Sequence, residues 1–435
     1  MTGKILDIRP GLAILRGSLK AGEGRPGGGR GGTDMEKIGR QSARGNRTGA
    51  VCLAVFCALL ISRLSGGQEP GNLSRDFEPE ILKAMSRGNI SSAAVALVRG
   101  EKIVLAGAYG YSNAWARTPA FAETVYLIGS TFKTISTFAL LQQMELGKFK
   151  LDDSVNAYLA DFKIQGDLPS NPVTFRHLLT HTSGLPADFG ACPVWSDHAP
   201  LPLEQYLRQS LQLQSPPLTT VIYSNLAYTL VAYLVEKFSG APFRRYIQEN
   251  ILDPLEMKDT AFEPRPEMVE RLAIPYFFEA KAGRYVPVGW TKANVWPAGI
   301  IYGTVIDQAH WLIANLNRGV YKGKRLIGEA TFEEVMRRQH DRFAGPMHEG
   351  WLNETTGYGL TWWVSKRGGE TVFAHSGSVT GYTAFLAGNL DRKTGVAILT
   401  NGNRSHKHLF ELALLGLDCL NREPAAANRP WCPVS

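Results

Sequence analysis

Ser130-Thr131-Phe132-Lys133 sets a hydroxyl and an amine three residues apart. On a helix that spacing puts both on one face, one turn apart. An amine whose pKa is lowered by burial can take the seryl proton and make the hydroxyl a nucleophile. A helix start also favours the negative charge that develops during attack. Chance gives about one Ser-x-x-Lys in a chain of this length, and no other occurs in this sequence. A second element, Tyr223-Ser224-Asn225, lies between the β-prone run Thr219 to Ile222 and a helix start. Its phenol can relay a proton and its carboxamide can hold an amide carbonyl. The same residues also read as a packed aromatic followed by a helix cap. The third element is His375-Ser376-Gly377, at the end of the apolar run Val372-Phe373-Ala374 and followed by Ser378-Val379-Thr380-Gly381-Tyr382.

These residues need a scaffold that converges on them. From Thr134 to Gly147 the apolar residues Ile135, Phe138, Ala139, Leu140, Leu141 and Met144 cover most of a helix, and Gly147 ends it. A helix apolar nearly all round is a buried one, and a lysine without a task is costly there. Ala93 to Arg99 and Lys102 to Gly107, joined at Gly100-Glu101, form a hairpin signal. The stretch from about 150 to 270 reads as helical with Pro-rich loops. It includes 200–213 and Leu226 to Phe238, the latter between cap candidates Ser224/Asn225 and Gly240. Strand signals return at Thr371 to His375, Thr383 to Gly388 and Val396 to Thr400, and Leu409 to Leu420 closes as a helix. The expectation is an α+β fold, one antiparallel sheet flanked by helices. Its strands come from about 90–130 and 270–420, with a helical insertion over about 131–270.

In their order along the chain, the three elements resemble those of serine β-lactamases and penicillin-binding proteins. The resemblance is to the class C β-lactamase-related branch, which includes esterases and D-amino-acid peptidases. Two further stretches are similar to segments of that branch: Val173-Thr174-Phe175-Arg176-His177-Leu178-Leu179-Thr180-His181-Thr182-Ser183-Gly184-Leu185 and Trp296-Pro297-Ala298-Gly299. The likeness runs from about 78 to 420. It implies that Ser130 is acylated, that Lys133 and Tyr223 share the acid and base work, and that Asn225 binds the substrate amide. It also implies that His375, Ser376, Gly377 and Ser378 line the substrate, with the Ser130 and Ser378 N–H groups as the oxyanion hole, and that no cofactor is needed. The branch's third motif usually begins with Lys. His375 is mostly neutral at pH 7, so its hold on a substrate carboxylate weakens. That favours an esterase or D-peptidase with slow β-lactam hydrolysis.

Several other residues compete for these roles. Lys393-Thr394-Gly395 spells the third motif literally, but it follows the turn Asn389 to Arg392 and precedes a strand instead of ending one. His177 and His181 have a zinc-like i, i+4 spacing but lack the metalloprotease Glu, so no metal is expected. His406 and His408 read as solvated.

With 435 residues, 44% of them hydrophobic, the chain can bury a large core and reads as one folded unit. Its formal charge is +8, yet residues 1–48 hold +6 of it, so the remainder offers no basic face for nucleic acid. Residues 1–49 read as a disordered basic segment, with Met35 as an alternative start. Behind Arg44 and Arg47 comes Ala50 to Ile61, twelve apolar residues. That is short for a span and right for a signal-peptide h-region. Residues 50–67 are therefore expected to direct export, to the periplasm or beyond. An uncleaved anchor here is the only membrane contact in view. Cys419 and Cys432 are the candidate disulfide across the 421–435 tail, with Cys192 left over. The resulting expectation is an exported serine hydrolase acting on a small-molecule or peptide ester or amide. The alternative is a silent binding protein that keeps the fold.

Overall fold

The computed structural model describes residues 71–187, 200–290, 292–341, 356–402 and 405–422. The expectations for residues 1–67, for Cys192 and Cys432, and for the tail beyond 422 lie outside them.

One antiparallel sheet holds eight strands: β1 Ser92–Arg99, β2 Lys102–Asn113, β3 Thr118–Pro119, β4 Gly357–Tyr358, β5 Trp363–Arg367, β6 Glu370–Val379, β7 Tyr382–Asn389 and β8 Thr394–Thr400. Their order across the sheet is β4-β5-β6-β7-β8-β1-β2-β3. The two ends of the chain therefore meet at its centre, where Ala93 pairs with Thr400 and Arg99 with Thr394. The hairpin at Gly100-Glu101 forms as its sequence indicates, with Gly100 at φ +62.

The central strands read as unbroken apolar runs because both faces of the sheet are covered. Successive side chains alternate between faces. Ala93, Val95 and Leu97 meet α1 (Gly71–Gly88) and α6 (His406–Asn421) on one side. On the other, Ala94, Ala96 and Val98 join the larger core with α2 (Phe132–Glu145), α4 (Asn225–Ser239) and α5 (Val305–Leu316). The fold is α+β, a sheet flanked by helices with an insertion between its halves.

The middle is less helical than its sequence suggests. Between 146 and 224 the described α-helices are α3 (Phe175–Leu179) and Leu203–Ser210. Prolines 169, 172, 186, 200, 202, 216 and 217 punctuate the rest, and a proline both lacks an N–H and disfavours helix in the residue before it. His406 and His408 are half-buried, contrary to the solvated reading, because α6 lies on the sheet and Gly88 of α1 approaches His408. No described helix is long and apolar enough to cross a membrane.

Candidate active site

Ser130 does not begin the α-helix. It sits in a 3₁₀ turn, Gly129–Thr131, that runs directly into α2. A 3₁₀ turn eclipses residues i and i+3, and here the Lys133 Nζ lies 2.9 Å from the Ser130 Oγ. The serine is half-exposed, whereas the lysine is fully buried.

Lys133 has two further partners, the Asn225 Oδ1 at 2.8 Å and the Ala298 carbonyl at 2.7 Å. Its ammonium position also lies over the Tyr223 and Tyr228 rings, 5.0 and 5.5 Å from their centroids. None of the three hydrogen-bond partners is charged, and burial lowers the amine well below the ordinary lysine value. A neutral amine has two N–H groups and one lone pair. The two carbonyl oxygens can only accept, so they take both N–H groups. In that neutral form the lone pair would be left for the Ser130 hydroxyl, whereas the charged amine donates to it.

The phenol of Tyr223 is hydrogen-bonded to Ser130 from another side, and burial raises its pKa well above the usual value. Tyr223 therefore stands protonated. Of the two groups, the lysine is suited to take a proton and the tyrosine to pass one on.

Tyr223 and Asn225 are held by the loop Thr180–Ala187. Ser224 caps α4 by accepting from the Ala227 N–H at 3.0 Å and donates its hydroxyl proton to the Pro186 carbonyl at 2.6 Å. The Asn225 N–H donates to the Ala187 carbonyl at 3.0 Å. His181, fully buried, accepts from the Ser224 N–H on Nδ1 at 3.1 Å, and its carbonyl accepts from the Ile222 N–H at 2.9 Å. The other histidine of the i, i+4 pair, His177, closes a reciprocal cap with Thr174 at the start of α3.

The third element lies along the end of β6. Strand β5 pairs with β6 only as far as Ala374, so beyond it that edge is open to the Gly129–Thr131 turn. Contact there is close enough to require glycine. A Cβ on Gly129 (φ +57) would stand 2.6 Å from the Ser378 nitrogen, and one on Gly377 would stand 2.2 Å from the Ile128 carbonyl oxygen. Another on Gly299 would meet the Ser130 nitrogen at 3.0 Å. The backbone nitrogens of Ser130 and Ser378 thus lie on either side of a contact with no room for a methyl group.

Along this strand the residues differ in access. Ser378 is exposed, Ser376 and Gly377 are buried, and His375 is fully enclosed. The His375 Nδ1–H donates to the Ser376 carbonyl at 2.7 Å, and the ring stacks on Trp363 with centroids 5.1 Å apart.

Lys393 is remote from this arrangement. It occupies a left-handed turn position (φ +53) between β7 and β8, and its ammonium donates to the Asn317 Oδ1 at 3.2 Å. The Ser378 end of the sheet is the full length of β7 away, about 20 Å at 3.4 Å per residue. Lys393→Ala is expected to leave kcat/KM within about threefold, whereas His375→Ala lowers it by about tenfold or more. Steady-state kinetics of the two variants checks the ranking, and the reverse order would place the third element on the wrong strand.

Sequence reasoning gave the Ala298 carbonyl no role. A backbone oxygen carries no side-chain signature, so only the resemblance of Trp296-Pro297-Ala298-Gly299 marked the place. The role of His181 was also missed, although its neighbourhood was marked by the same kind of resemblance.

Known proteins share this fold and stretches of this sequence. "Protein flp" of Staphylococcus aureus (strain MW2) is 24% identical over 330 residues, covering 74% of this chain and 62% of that protein. "Unguisins hydrolase ungD'" of Aspergillus campestris is 26% identical over 357 residues, covering 80% and 64%. The chain thus spans somewhat under two thirds of the curated relatives it matches. The octameric penicillin-binding protein homologue of Pyrococcus abyssi superposes with a TM-score of 0.66 at 27% identity, over 80% of this chain and 77% of that one. D-amino acid amidase of Ochrobactrum anthropi SV3, at 20% identity and a TM-score of 0.66, shares the fold over 80% of this chain and 99% of its own. The Beta-lactamase family profile matches residues 77–418, most of the molecule, and the chain belongs to that family.

Proposed function

We propose that this protein is an exported serine hydrolase that cleaves esters or amides through an acyl-enzyme on Ser130. The observation that carries this reading is the placement of Lys133: fully buried, with its Nζ 2.9 Å from the Ser130 Oγ and no charged partner among its three hydrogen bonds.

In acylation the Ser130 Oγ bonds to the substrate carbonyl carbon while its proton passes to the Lys133 Nζ. The carbonyl oxygen becomes an oxyanion between the Ser130 and Ser378 N–H groups, a contribution of about 2.7–4 kcal/mol per donor. Collapse breaks the bond to the leaving group, which takes a proton from the Tyr223 hydroxyl, and Tyr223 is reprotonated from Lys133. Water then attacks the acyl carbon, giving its proton to the same pair, which returns it to the Ser130 Oγ as the acyl–oxygen bond breaks. Asn225, whose Oδ1 is held by Lys133, turns its amide nitrogen toward the substrate carbonyl.

His375 shapes the substrate range. An enclosed imidazole with one nitrogen already committed is a weaker anchor for a carboxylate than a lysine. Neutral esters and amides, D-peptides among them, are the favoured substrates, and β-lactams are slow ones. No cofactor or metal takes part. Export rests on the apolar run Ala50 to Ile61 behind two arginines.

A fluorophosphonate probe tests the reading. It is expected to label the protein once, on Ser130 by mass spectrometry. The labelling rate should fall with pH as Lys133 becomes protonated, below the ordinary lysine range. N-terminal sequencing of labelled protein recovered outside the cytoplasm reports export and cleavage together. No labelling, or a label on another residue, refutes the assignment.

A further inference from the structure

We propose that His181 is a positioning residue that sets the Tyr223 hydroxyl for proton delivery to the leaving group, an inference that rests on the relay role given to Tyr223 above.

One residue, His181, touches both the ring of Tyr223 and the backbone on either side of it. The imidazole of His181 lies against the Tyr223 ring with centroids 4.1 Å apart and planes 31° from parallel. The same residue holds the backbone on both sides, Ile222 through its carbonyl and Ser224 through Nδ1. Tyr223 thus has its chain fixed before and after it and its ring supported on one face. The far end of that ring carries the hydroxyl bonded to Ser130.

At this place His181 adopts φ +61, a left-handed conformation uncommon outside Gly that Asn, Asp and His take more readily than other residues. The ring also rests on Tyr228 and Tyr358, at 5.3 and 5.6 Å, so it is wedged and has little freedom to turn. Because Nδ1 accepts a hydrogen bond, the proton of the neutral ring sits on Nε2. Burial holds the ring well below the ordinary imidazole value.

A relay matters in proportion to how badly the leaving group needs a proton. An alkoxide or amine departs poorly without one, whereas p-nitrophenolate departs without help. Misplacing the Tyr223 hydroxyl should therefore slow an alkyl ester and spare a p-nitrophenyl ester with the same acyl group. General structural damage slows both alike.

Two substitutions suit the left-handed backbone. His181→Asn keeps an acceptor near the Nδ1 position and removes the ring, and His181→Gly removes both. His181→Gly is expected to lower kcat/KM, which reports acylation alone, on the alkyl ester by about 30-fold or more and His181→Asn by about 3- to 10-fold, within the usual range for a general acid. Both should leave kcat/KM for the p-nitrophenyl ester within about threefold. Tyr223→Phe should show the same leaving-group selectivity, and Tyr223→Phe combined with His181→Gly should lose nothing further. Either His181 variant suffices if the other fails to fold. Equal losses on both esters, no loss on either, or additive losses in the double variant would overturn the role of His181 while Tyr223→Phe still discriminates. Absence of discrimination in Tyr223→Phe itself would overturn the relay reading and this inference together.

Discussion

Ser130→Ala will abolish fluorophosphonate labelling and lower kcat/KM by on the order of 10⁴-fold or more, since removing the nucleophile removes what the rest of the machinery acts on. The melting temperature should change by only a few degrees. The side chain is small and half-exposed, and its loss leaves Lys133 with two of its three hydrogen bonds. Labelling and differential scanning calorimetry on the same preparation separate the two effects. The decisive contrary result is retained labelling on Ser378, the exposed serine across from Ser130.

Gly377→Ala is the second large effect. Its Cβ would stand 2.2 Å from the Ile128 carbonyl oxygen, a backbone atom that moves only if β6 or the Gly129–Thr131 turn moves. Either shift separates the Ser130 and Ser378 amides. The expected loss is about 10²- to 10³-fold in kcat, the usual effect of one missing oxyanion donor, with about 1–3 kcal/mol of stability lost to overpacking. KM should move less than kcat, because the oxyanion exists only in the transition state. Gly107→Ala is the control: it lies in β2 with nothing within 4 Å of its added methyl group. If the two alanine variants behave alike, the close approach at Gly377 has no catalytic consequence.

The parts of this molecule legible in its sequence are those where one physical requirement dominates. Strands β1, β6, β7 and β8 show as β-prone apolar runs because both faces of the sheet are buried. Helix α4 shows because Ser224 and Gly240 mark its two ends, Gly240 at φ +71. Other elements had weaker or opposing signals. Helix α1 carries Pro79 inside it and begins at Gly71, both of which read as breakers. Helix α5 has a Thr304 cap accepting from the Asp307 N–H, a usable signal that was passed over. At the site the reactive side chains were legible, but their arrangement was not. The lowered pKa of Lys133 comes from its burial, and the backbone on either side of Tyr223 is held by His181, both consequences of the fold alone. His181 shows how a spacing misleads: at i, i+4 it invites comparison with a metal ligand, while its nitrogen is engaged by the Ser224 amide.

The place of β1 in the sheet bears on how the molecule is made. It pairs on one side with its immediate successor and on the other with β8, which ends at Thr400. On the ribosome the β1–β2 hairpin therefore emerges with one edge bare, a template for unwanted strand pairing, and stays so until nearly the whole domain has been synthesised. The same delay applies to the nucleophile, because the Gly129–Thr131 turn is covered by Gly377 and Ser378. A nascent chain that has produced Ser130 and Lys133 is chemically inert and prone to aggregation until β6 to β8 follow. Long-range pairing of this kind is slow to form, which lengthens the interval in which the bare edge is exposed.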